Sequence, residues 1–153
     1  MIGPEGLQPL VQEILRHTLD GRPAVAASIL SVVTEHGDSA DLFGVCCAAA
    51  DTGRVALQVL FPDAEVGPGQ EWQLPPAMAD QLAGDPHRLF AARFVTAYLN
   101  GDHPLALALF QAAETGGHQE RTESVCALLA HVRRLTLRAE QGPATPDPGG
   151  VPA

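Results

Sequence analysis

Apolar residues recur every three or four positions over most of this chain, the period that gathers them on one side of an α-helix. Leu7, Leu10, Val11, Ile14, Leu15 and Thr18 form one such face, and Gly21 follows where that helix should end. Glycine takes the left-handed C-terminal conformation at least steric cost. Pro23 suits the first turn of a second helix, which carries Val25, Ala26, Ile29, Leu30 and Val33 and stops at Gly37. Asp38 or Ser39 can cap a third. Along it Leu42, Val45, Cys46, Ala49, Gly53, Ala56, Leu57 and Leu60 keep helical spacing. The alternation Val55, Leu57, Val59, Phe61 after Asp51-Thr52-Gly53 offers a strand as the rival reading of residues 54–61. The longer helical period favours helix.

Pro62, Gly67, Pro68, Gly69, Pro75 and Pro76 then interrupt any helix and predict a connector. Ala77 to Leu82 fits a short helix. Asp85-Pro86 is a start signal, an N-cap followed by proline at the first helical position. A helix to Asn100, a Gly101-Asp102 turn, a helix from His103 to Thr115 and one from about Gln119 to Ala139 follow. The tail GPATPDPGGVPA after Gln141 has no apolar anchor and is expected to be disordered.

The second set of helices repeats the first at an offset of 80. Leu19, Gly21, Ala26, Gly37, Val45, Cys46 and Ala50 recur as Leu99, Gly101, Ala106, Gly117, Val125, Cys126 and Ala130, seven identities over 41 ungapped positions. Ile14/Phe94, Val25/Leu105, Ile29/Leu109 and Leu30/Phe110 match in kind. Self-similarity at a fixed offset marks stacked supersecondary units. The expected fold is all-α: duplicated three-helix units forming a helical bundle or short solenoid-like array. Residues 1–140 make a single helical domain of two pseudo-repeats, 10–60 and 86–139, joined by a connector, 61–85, with a disordered tail at 141–153.

Within the second unit, Ala97 to Glu114 (AYLNGDHPLALALFQAAE) resembles the inner half of a tetratricopeptide repeat. A Gly-Asp turn precedes a small residue, an aromatic and a second small residue, here Ala106, Phe110 and Ala113. Thr18 to Val33 fits less well, with Leu30 and Val33 in place of the aromatic and the second alanine. Arg93 and Phe94 depart from the family in the preceding helix, and no 34-residue period follows. The resemblance implies close helix packing and a protein-binding role, and transfers no functional residue.

Charge narrows the partners. Nine arginines, no lysine and 18 acidic residues give a net charge of −9 and a pI near 4.9. Nucleic-acid binding needs a basic stripe, and the arginines are scattered except Arg133, Arg134 and Arg138, where cations complement the end of the last helix. The lysine-free, Ala-, Gly-, Pro- and Arg-rich composition, with Asn100 the single asparagine, points to a GC-rich genome such as an actinobacterium. No basic-then-apolar leader and no run of about 18 apolar residues is visible, so no membrane span is expected and the cytoplasm is the default location.

The candidate chemistry is sparse. Cys46, Cys47 and Cys126 show no CxxC spacing, and no arginine or histidine lies within a helical turn of Cys46 or Cys47, so the three read as packing residues. Glu13, His17 and Asp20 share one helix face, a set that could serve as ligands or as an acid/base pair, but with Arg16 beside them they read as a solvated, ion-paired surface. The six histidines show no HExxH or HxH spacing, and no phosphate loop or nucleophile elbow is present. No residue is assigned to catalysis, a cofactor or a metal. Trp72, the single tryptophan, sits in the connector and reads either as an anchor pinning it down or as a partner-binding hot spot. The expectation is a non-enzymatic protein-interaction or regulatory accessory protein that binds a protein partner or itself. The alternative is a small-molecule-binding regulator or enzyme using a cavity between the repeats, lined by Cys46, Cys126 and Phe94.

Overall fold

Helix boundaries in the computed structural model fall on the residues whose chemistry ends or starts helices. The structure describes residues 2–62, 72–74 and 76–142, and among these it contains seven helices and no strand. In chain order they are α1 (Pro4–Leu19), α2 (Pro23–His36), α3 (Ser39–Leu60), α4 (Pro76–Leu82), α5 (Pro86–Leu99), α6 (His103–Thr115) and α7 (His118–Glu140). Residues 54–60 are helical, which overturns the strand reading. Val55 and Val59 face out while Ala56 and Leu60 face in, a helical division of residues and not an alternating one. Residues 63–71 and 75 of the connector expected at 61–85, and residues 143–153 of the tail expected at 141–153, lie outside the described residues.

Two turns are built the same way. Gly21 (φ 76°) and Gly101 (φ 67°) are left-handed. After α1 the Arg22 N–H donates to the His17 carbonyl at 2.8 Å, and after α5 the Asp102 N–H donates to the Ala97 carbonyl at 2.9 Å. Both are the six-to-one bond of a Schellman ending, which satisfies carbonyls the helix leaves open. The start of α3 is tied more tightly. Asp38 accepts from the Asp41 N–H at 2.9 Å, and Asp41 accepts in return from the Asp38 N–H at 3.0 Å and from the Ile2 N–H at 2.9 Å. These backbone donors, Ile2 first, hold the Asp41 carboxyl below its usual range.

The two long helices are the hubs. α7 packs on α1, α3, α5 and α6, and α3 packs on α1, α2, α5 and α7, while α4 rests on α5. One core cluster draws from α1, α2, α3, α5, α6 and α7, with Ile14, Leu30, Phe94, Phe110 and Leu128 among its buried members. Phe43 of α3 reaches into the second hairpin, with its ring 6.0 Å from Phe94 and 5.5 Å from Phe110. Buried Gly53 lies where α3 meets α5 and α7, so the backbones come close. Among the described residues one helix, α3, has the length and the mean hydropathy (1.2) of a weak membrane-span candidate, and it contributes to the core cluster.

Two substitutions test this packing by urea denaturation. A Cβ added at Gly53 would meet Val132, Leu135 and Val95 at 3.5 to 3.8 Å, ordinary contact distances. Gly53→Ala should therefore stabilise the protein by about 0.5–1 kcal/mol, the helix-propensity gain. Phe94→Ala should destabilise by about 3–5 kcal/mol, because its cavity cannot collapse against the neighbouring phenylalanines.

Candidate functional site

Charge on α7 is divided along its length. Glu120 and Glu123 lie in its first turns beside His118 and Arg121, and His131, Arg133, Arg134 and Arg138 lie in its second half, which ends at Glu140. This matches the helix dipole, whose positive end favours acids and whose negative end favours bases. The first turn of α5 supplies two adjacent side chains, one toward each half.

His87 goes to the acidic half. Its Nε2 lies 2.9 Å from a Glu123 oxygen and 3.3 Å from a Glu120 oxygen, and its Nδ1 lies 3.0 Å from Ser124 Oγ. The three ligand-type atoms fall within 4.8 Å of one another. Such a His-carboxylate set has the chemistry of a divalent-cation site. In the geometry seen, the imidazole contacts the carboxylates directly, as an ion pair or hydrogen-bonded triad does. Sequence reasoning missed the cluster because His87 lies more than 30 residues before Glu120 and Glu123, and only the packing of α5 on α7 brings them together.

Arg88 goes to the basic half. With Arg134, Arg138 and His131 it lines a surface cavity of about 470 Å³, whose remaining walls include Leu82, Leu135 and Leu137. Among the described residues no carboxylate lines this cavity. Burial, then the charges of Arg134 and Arg88, push the His131 imidazole down to about 4, so it is neutral at neutral pH. Burial and Arg88 also lower Arg134. The expectation that cations here merely complement the helix end covers the α7 residues. It does not cover Arg88, which stands at the opposite, positive end of α5.

Trp72 is half-buried. Its N–H donates to Asn100 Oδ1 at 2.7 Å and its carbonyl accepts from Asn100 Nδ2 at 2.8 Å. Its ring meets Phe61 edge-on at 6.4 Å. The chain's single asparagine thus pairs with the connector as a neighbouring backbone amide would.

The remaining candidates are tied up or inert. Glu13 pairs with Arg16 at 2.7 Å and with His17 at 3.3 Å, while Asp20 pairs with Arg22 at 2.9 Å. Arg16, its hydrogen-bond partner, holds the Glu13 carboxyl below its ordinary value. All three cysteines are free thiols, and burial raises each of them; Cys46 lies wholly inside the core. A cavity of about 770 Å³ does lie between the α1–α2 turn and α7. Cys126 lines it with Thr18, Leu129 and Arg133. Cys46 and Phe94, expected there too, instead fill the closed core, because their faces of α3 and α5 point inward.

No protein-family model, curated protein or solved structure matches this chain.

Titration by imidazole NMR tests the cationic cavity. His131 should lose its proton near pH 4, against the ordinary 6.5, and Arg134→Gln should raise that value. An unfolded chain takes up this proton first. The stability His131 supports is therefore complete above about pH 6.5 and declines as the pH falls from there toward 4.

Proposed function

We propose that this chain is a non-enzymatic interaction protein, a regulatory accessory that binds a protein partner or a second copy of itself through the edge where α3 ends beside Trp72. One observation carries the reading. Val55, Val59 and Phe61 remain 49, 43 and 45% exposed at the end of α3, against a Trp72 whose backbone is already fixed by Asn100. A tryptophan ordered before binding loses little entropy on association, and exposed aliphatic and aromatic neighbours give it a rim.

The architecture supports a scaffold. We read α1–α3 and α5–α7 as duplicated units of one helical domain, the second carrying the tetratricopeptide-like hairpin. The shared Schellman turns and the buried pairs Ile14/Phe94, Ala26/Ala106 and Leu30/Phe110 support this. The raised thiols are poor nucleophiles. The net charge of −9 argues against nucleic acid, and a core-packed α3 fits a cytoplasmic protein, here from a GC-rich source. The inter-unit cavity of about 770 Å³ supports the alternative, a small-molecule-binding regulator.

Sedimentation velocity, with affinity capture from host lysate and mass spectrometry, tests the reading. Wild type should self-associate or retain a specific partner, and Phe61→Asp or Trp72→Ala should weaken that complex by about tenfold or more. A monomer that captures nothing, or a complex indifferent to both substitutions, would sink it. Asn100→Ala should cost about 1–2 kcal/mol for two lost hydrogen bonds and shift tryptophan emission to the red.

A further inference from the structure

Four of the nine arginines are neutralised by neighbours: Arg16, Arg22, Arg54 and Arg121 each pair with a carboxylate. Arg88, Arg134 and Arg138 form no side-chain hydrogen bond or ion pair among the described residues, yet all three line one cavity. Of the five arginines without a carboxylate partner among the described residues, Arg93 and Arg133 lie outside this cavity and the other three line it. All three are exposed, so solvent weakens their mutual repulsion without removing it. Arg88 also stands in the first turn of α5, where the helix dipole opposes a cation. Both terms destabilise the free protein, and an anion in the cavity reverses both.

We propose that this cavity, between α4, the start of α5 and the end of α7, binds a small amphipathic organic anion, its carboxylate or phosphate held by Arg88 and Arg134 and its apolar body lying along Leu82 and Leu135. Planar guanidinium groups from two helices suit a head group with two or three oxygens, which each can grip with parallel N–H donors. The volume of about 470 Å³ is that of a small-molecule site. A polyanion is a poor occupant, since the surrounding surface of a chain with net charge −9 repels it. The site shares no lining residue with the Trp72 edge and stands or falls independently of it.

Calorimetric titration of the full chain with octanoate, octyl phosphate, inorganic phosphate and octyltrimethylammonium tests the proposal. At least one alkyl anion should bind saturably, and about tenfold or more tighter than inorganic phosphate; which of the two binds better identifies the head group. Arg88→Gln and Arg134→Gln should each weaken that binding by about tenfold. Arg93→Gln, an exposed arginine of α5 outside the cavity, should leave it unchanged. Without ligand, Arg88→Gln should match or exceed wild type in thermal stability. The proposal is overturned if neither alkyl anion binds with a Kd below about 1 mM. Equal binding of octyltrimethylammonium, indifference to both substitutions, or lower stability of unliganded Arg88→Gln would also overturn it.

Discussion

The contact between α3 and α7 is the constraint from which the rest follows. Helices of 13 to 16 residues, such as α1, α2, α5 and α6, are marginal alone and hold only when an apolar face is covered. The two hairpins they form leave their inner faces open. Each long helix closes its own hairpin and reaches the other, α3 onto α5 and α7 onto α1. Gly53 and the alanines of α3 permit the approach, and Phe43 carries the core across the boundary. Neither half therefore has a complete interior of its own.

The helices were legible because their signals are local. Proline at the first turn, Asp38 and Asp85 as caps, and Gly21 and Gly101 past the ends act within a few residues, and each did in the fold what its chemistry predicts. Burial was legible for most of the α1 and α2 faces, although Val25, read as part of the α2 face, is exposed. It was less so for α7, where Ser124 is buried and Ala130 is exposed despite pairing with buried Ala50. The register of α7 against α3 and α5 decides that, and no local pattern encodes it. The same holds for both polar clusters. His87 and Arg88 are neighbours in sequence with nothing to mark them, and only the packing of α5 on α7 sends one to carboxylates and the other to arginines. Trp72 was identified by its rarity, but its partner Asn100, equally rare, gave no sign of the role it plays.

This division of charge refines what net charge means here. A value of −9 describes how the molecule looks from a distance, beyond a Debye length of about 8 Å. At contact range the surface is a mosaic. Paired arginines carry no long-range field, so the unpaired ones set the local potential around the end of α7. Composition argues against an extended basic stripe and is silent on a basic spot.

The pairing of Asn100 with Trp72 also divides the connector. Phe61 and Trp72 touch through their rings, and Trp72 is bonded to the last residue before the α5–α6 turn. Phe61 and Trp72, eleven residues apart in sequence, are thereby held together before the chain leads into α5. Lengthening a flexible loop costs only a logarithmically growing entropy, about 0.6 kcal/mol for each doubling. Between two ends already held together, added length therefore costs chiefly this entropy, next to the exposed Val55 and Val59 of α3.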